Sequence, residues 1–113
     1  MLQPTSTLLE KFGGSPKLLG NVTNAFLTSW ERDFDNFAAS LTRGEADEAA
    51  RAVHRLKGSL GYFADEEFFD QVVRLESIMK DGDLRTARQL RPQFETDLRK
   101  FVEELQTMKE GLT

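Results

Sequence analysis

The chain carries a single histidine, His54, and no cysteine. Imidazole changes protonation near neutral pH, so a neutral ring can use its lone pair to attack phosphorus. Three features set His54 apart from a histidine idling at a helix edge. Helical residues advance by about 100° each, which puts His54 beside the apolar stripe of Val53, Leu56 and Leu60 rather than on it. The ring can then lean on the protein while one nitrogen faces water. Gly58 and Gly61 follow four and seven residues later on the same face. A glycine inside a helix costs about 1 kcal/mol relative to alanine, and here the missing side chains would leave a gap through which another protein could approach. Gly61, near the helix end, serves packing or the following turn equally well. Lys57 lies within about 60° of His54 on the helical wheel, close enough to reach a phosphate on the imidazole. Arg51 and Arg55 add candidate partner-facing positive charge, although solubilising surface charge explains at least one of them as well.

Phosphoryl transfer asks little covalent work of a protein beyond an in-line nucleophile and neutralised charge. Other chemistries lack their residues. Di-iron bundles use Glu-x-x-His pairs, but Arg51 stands three residues before the lone histidine, and no His-Glu-x-x-His zinc motif occurs. Gly13, Gly14 and Gly20 do not build a phosphate-binding Gly-x-x-x-x-Gly-Lys-Ser/Thr loop. Gly58-Ser59-Leu60-Gly61 fits the short Gly-x-x-Gly pattern of some RNA-binding domains. A net charge of −4 and a pI near 5.0 oppose nucleic-acid binding. No apolar run approaches the roughly 20 residues of a membrane span. The start Met1-Leu2-Gln3-Pro4-Thr5 lacks the basic and apolar regions of a signal peptide. With no cysteine, a reducing, cytoplasmic location is the expectation.

Helices must position these residues, because alternating strand patterns are nearly absent. At 113 residues one domain, 1–113, is expected. The pattern predicts a short helix from about Ser6 to Phe12. A second opens at Ser15-Pro16, buries Leu19, Val22, Phe26, Trp30, Phe34, Phe37 and Leu41, and stops at Gly44. A third runs from about Glu45 to Phe63 over Ala49, Val53, Leu56, Leu60 and Phe63. Asp65 caps a fourth, with Phe68, Val72, Leu75 and Met79 inward, and Asp81-Gly82-Asp83 repeats the stop and cap. The last carries Leu84, Ala87, Phe94, Leu98, Phe101, Leu105 and Met108; Pro92 within it implies either a kink, the favoured reading, or a split into two pieces. Four long amphipathic helices with short connections predict an all-α, antiparallel up-down-up-down four-helix bundle with a short extra N-terminal helix. Nine phenylalanines and Trp30 supply its core.

His54-Arg55-Leu56-Lys57-Gly58-Ser59 resembles the signature of histidine-containing phosphotransfer (HPt) domains: histidine, any residue, leucine, lysine, glycine, then serine or alanine. Leu75-Glu76 followed by Gly82-Asp83-Leu84 is similar to that family's second stretch, so the likeness covers nearly the whole chain. Ala64 departs from it, since many members have glycine there. The resemblance implies a phosphocarrier rather than an enzyme. His54 would accept a phosphoryl group from a receiver-domain aspartate and pass it to another receiver; Lys57 would contact the phosphate and Gly58 would admit the receiver. Implied partners are response-regulator receiver domains and a hybrid sensor histidine kinase, with no cofactor in this chain and Mg²⁺ only in the receiver. A monomer is the default. The rival expectation is a bundle that docks on a receiver or kinase as an adaptor or inhibitor without carrying phosphate; a purely structural bundle comes third.

Overall fold

Side-chain caps start three of the helices. Ser15 Oγ accepts from the Leu18 amide at 3.1 Å, Asp65 Oδ1 from Phe68 at 2.9 Å and Asp83 Oδ1 from Thr86 at 3.1 Å. Each bond satisfies an amide that the first helical turn leaves without a partner. The computed structural model describes residues 1–112, which form α1 (Thr5–Lys11), α2 (Pro16–Arg43), α3 (Ala46–Leu60), α4 (Glu66–Lys80) and α5 (Leu84–Glu110). Among the described residues there is no strand, only an isolated bridge between Leu2 and Ala64, and no helix is long and apolar enough to cross a membrane.

Helix α3 packs against both α2 and α4, and α5 covers the far sides of α2 and α4. The inward face of α3 is Ala49, Ala52, Val53, Leu56 and Leu60, small enough in its first half to let the neighbouring helices approach. Aromatic rings tie the other elements together. Phe26 of α2 meets Phe63 and Phe101 edge-on at 6.0 and 5.9 Å, and Phe101 meets Phe68 of α4 at 5.2 Å. Further along, Phe34 and Phe37 pack with Phe94 of α5. Such pairs add about 0.5–1.5 kcal/mol each beyond the area they bury.

Most of the predicted stripe is buried, but Val22 and Leu84 are only half-covered, and Val102 joins the core unpredicted. Helix α3 ends at Leu60, three residues before the predicted end. The chain after it turns, with the Phe63 and Ala64 amides bonding to the Leu60 carbonyl. The freed carbonyls of Phe63 and Ala64 accept instead from the Gln3 amide at 2.9 Å and its side chain at 2.8 Å. An N-terminal strap therefore fixes the α3–α4 junction. Ala64 sits there without needing the left-handed backbone that would favour glycine, since no non-glycine among the described residues has positive φ.

Pro92 does not split α5, which is one helix from Leu84 to Glu110. The proline is exposed, and the inward stripe of Ala87, Leu90, Phe94 and Leu98 runs past it in phase. Packing on both sides of the missing hydrogen bond holds the helix together. Gly44 ends α2 at φ 77°, where the Glu45 amide bonds to the Ser40 carbonyl and Arg88 of α5 donates to the Leu41 carbonyl at 2.9 Å.

One core position is mismatched. Thr23 of α2 is fully buried and its hydroxyl has no partner. A buried hydroxyl without a hydrogen bond costs about 1–3 kcal/mol. Thr23→Val keeps the shape and removes the hydroxyl, so it should raise stability by about 1 kcal/mol. The denaturation midpoint measures this; an unchanged or lower midpoint would refute it.

Candidate functional site

Helix α3 turns its inward stripe to the core and leaves His54 on the shoulder facing α4. The histidine side chain is 65% exposed, yet its Nδ1 lies 2.8 Å from Glu76 Oε2 of α4. Glu76 itself is only 4% exposed. Its other oxygen, Oε1, accepts from Lys57 Nζ at 2.6 Å, and Lys80, one turn further along α4, puts Nζ 3.4 Å from Oε2. Three donors from two helices thus converge on one buried carboxylate.

The electrostatics follow from that convergence. Burial alone would raise the Glu76 carboxyl, but hydrogen bonds from Lys57 and His54, the Lys57 charge and the Lys80 contact outweigh it and hold the group below the usual carboxylate range. Glu76 is therefore ionised at neutral pH. An ionised carboxylate only accepts, so the nitrogen facing it must donate. In the neutral imidazole, Nδ1 then carries the hydrogen and Nε2 holds the lone pair. The engaged nitrogen is fixed by the protein; the other keeps its lone pair and is exposed.

Charged groups ring the shallow depression beside the imidazole. Arg51, Arg55 and Lys80 line it with Asp47, His54 and Glu76. Arg55 is drawn towards α2, where its Nε lies 3.3 Å from Asp33, a carboxylate that is itself buried. Arg51 pairs with Glu48 one turn back on the exposed face. The two arginines expected to face a partner are thus both engaged with neighbouring carboxylates.

The two glycines separate. A Cβ on Gly58 would meet nothing within 4 Å, so no packing inside the protein calls for glycine there, and the surface one turn from His54 is open. At Gly61 the structure supplies a packing reason. A Cβ there would fall 3.0 Å from both the Phe69 ring and the Lys57 carbonyl, and its absence lets Phe69 close over the end of α3. The sequence reading gave Glu76, Lys80 and Asp33 no role. The signal was present for two of them: Glu76 and Asp33 stand at core spacing, within the stripes Val72-Leu75-Met79 and Trp30-Phe34-Phe37. A carboxylate at such a position must find cations or hydrogen-bond donors.

The sequence profile described as Hpt domain matches residues 21–110. The chain belongs to the Hpt domain family. No curated protein and no solved structure matched it. Hpt domains are phosphocarriers of two-component signalling rather than enzymes in the usual sense, and the helical bundle described above agrees with that assignment.

The Glu76 network has a pH signature. Its carboxyl is depressed in the folded state, so its contribution is fully present above the ordinary value of 4.5 and is lost as pH falls through the lowered one. Glu76→Gln should cost about 1–3 kcal/mol at neutral pH, because it leaves Lys57 and the site without their anion. Below about pH 4.5 the variant should lose less stability than the parent on further acidification. Parallel acid-side melting curves for the two proteins would contradict this.

Proposed function

We propose that His54 Nε2 accepts a phosphoryl group from an aspartate of a receiver domain and hands it to a second receiver. The observation that carries this reading is the exposed imidazole whose Nδ1 is committed to buried Glu76, which leaves Nε2 as the free nucleophile. The N–P bond forms as the P–O bond to the donor's aspartate breaks, and the return step reverses it onto the acceptor. Lys57 contacts the phosphoryl oxygens: it lies one turn from His54 and already faces the same site. Gly58 admits the receiver surface, as the open space around it supports. Gly61 shapes the end of that surface through its packing under Phe69. Arg51 and Arg55 present charge at its rim.

The partners are response-regulator receiver domains, and a hybrid sensor histidine kinase is the natural origin of the phosphoryl group. The receiver supplies Mg²⁺ and the acidic pocket; this chain uses no cofactor of its own. Short connections between α2, α3, α4 and α5 support an up-down-up-down course. We take residues 1–113 as a single monomeric domain acting in the cytoplasm, on length, composition and the absence of cysteine.

The deciding experiment loads a receiver domain with acetyl phosphate and Mg²⁺, adds this protein and follows label that is stable to base and labile to acid. The label should appear on the parent and vanish in His54→Gln, with stability changed by no more than about 1 kcal/mol because the ring is exposed and Glu76 keeps both lysines. Binding without label would replace the carrier by a docking adaptor. Gly58→Arg should slow transfer at least about tenfold by weakening docking, while stabilising the isolated helix by up to about 1 kcal/mol. Unimpaired transfer through that variant would remove the close-approach role of Gly58.

A further inference from the structure

We propose that Glu76 also sets the lifetime of the phosphohistidine, by keeping the Nδ1 proton on the ring after Nε2 has been phosphorylated. This rests on the phosphocarrier reading above and concerns the loaded state of the same site. Glu76 touches neither the phosphoryl group nor Nε2 and meets the ring only at Nδ1, so it acts as a positioning residue through the imidazole.

The chemistry turns on one proton. In uptake the Nε2 lone pair forms the N–P bond while the donor's aspartate leaves with the P–O electron pair. The ring keeps Nδ1–H and becomes cationic. In hydrolysis a water oxygen forms the new P–O bond and releases its proton to solvent. The N–P bond breaks, and its electron pair returns to Nε2. With Nδ1–H in place, the departing ring is neutral imidazole. Had that proton been lost first, the same step would have to expel an imidazolate anion, a far poorer leaving group. A carboxylate that retains the proton therefore makes the bond readily transferable, and by the same step readily hydrolysed.

The geometry suits this role after loading as well as before. Nδ1 lies on the side of the ring facing Glu76, 2.8 Å from Oε2, so phosphorylation at Nε2 leaves that bond undisturbed. The other groups facing the ring are Lys57, Asp47, Arg51 and Arg55 from α3 and Lys80 from α4, with Asp33 of α2 acting through Arg55. Lys57 and Lys80 both touch Glu76 in the unloaded protein, and both are cations that an arriving phosphoryl group attracts. To the extent that they turn towards it, His54 becomes the principal donor left to a carboxylate that is 4% exposed. The loaded ring is itself a cation, so it takes over the compensation that the lysines gave; Glu76 stays ionised and its carboxylate holds the Nδ1 proton more firmly.

The test needs no receiver, which separates it from the phosphotransfer assay. The parent and Glu76→Gln are loaded chemically with phosphoramidate, and loss of phosphohistidine is followed by phosphorus NMR across pH. Loss of a charge-assisted bond corresponds to about tenfold in the protonated fraction. At mildly alkaline pH the variant's phosphohistidine should therefore survive about tenfold longer, its hydrolysis accelerating only at lower pH. Glu76→Asp, which keeps the charge, should fall between the two. Nitrogen NMR of the loaded parent should find Nδ1 protonated where the loaded Gln variant has lost that proton. Identical pH–rate profiles for the parent and the Gln variant would overturn the proposal, and so would a bare Nδ1 in the loaded parent. The nitrogen measurement on the parent alone decides the matter should the variant fail to fold. Either negative result would leave receiver-dependent transfer standing, whereas failure of that transfer would show in the receiver assay and not here.

Discussion

Moving a carboxylate out of water costs several kcal/mol unless cations and hydrogen-bond donors compensate it, and Glu76 obtains that compensation from three residues at once. Lys57 and His54 come from α3 and Lys80 from its own helix. The dependence runs both ways. Without the lysines, burial would push Glu76 towards its neutral form, and a protonated carboxyl no longer dictates which imidazole nitrogen carries hydrogen. Without Glu76, the Lys57 ammonium would be left half-covered with no counter-ion, and the imidazole would be free to exchange tautomers. Which nitrogen of the surface imidazole keeps its lone pair is thus specified by a charge beneath it.

That arrangement requires α3 and α4 to be held in one register, and most of the fold contributes to it. The inward faces of the two helices fix their separation and rotation through Val53, Leu56 and Leu60 on one side and Val72, Leu75 and Met79 on the other. The strap formed by Leu2 and Gln3 closes the junction between them at Phe63 and Ala64. Gly61 lets Phe69 pack close to the end of α3. Behind this pair, Phe26, Phe68 and Phe101 lock α2, α4 and α5 together. An axial slip of one residue between α3 and α4 is about 1.5 Å, enough to stretch the 2.8 Å hydrogen bond and turn it out of line.

The sequence was most informative where physics is local. Helix starts at Ser15, Asp65 and Asp83 follow from cap chemistry, the stop at Gly44 from left-handed backbone, and the inward stripes from periodicity. The solitary histidine, with lysine and glycine at fixed offsets, marks its surroundings as the candidate site. Information that depends on two elements together was harder to read. Glu76 appeared as part of a motif with no function attached, because its meaning lies in α3, across the helix–helix boundary. Arg55 looked free until Asp33, twenty-two residues away, was brought beside it. Helix α3 was overextended because the strap that claims the Phe63 and Ala64 carbonyls comes from the opposite end of the sequence. Pro92 left two outcomes open because only packing on both of its sides decides whether a helix survives a missing bond.

The contrast between His54 and Gly58 bears on what the proposed transfer would leave to a partner. His54 is ordered from below by Glu76, while Gly58 beside it exposes bare helix. Glycine in a helix interior gives up about 1 kcal/mol; Gly58 lies in the last turn of α3, where the loss is smaller, and α3 tolerates it because six of its fifteen residues are buried against its neighbours. Alanine would fit the same backbone without a clash, so the helix itself has no reason to prefer glycine. What a side chain at 58 would obstruct is approach from outside, over the depression where Nε2 is available. An imidazole fixed on one nitrogen and left open on the other, next to a surface thinned by one side chain, is what the proposed transfer to and from a second molecule requires.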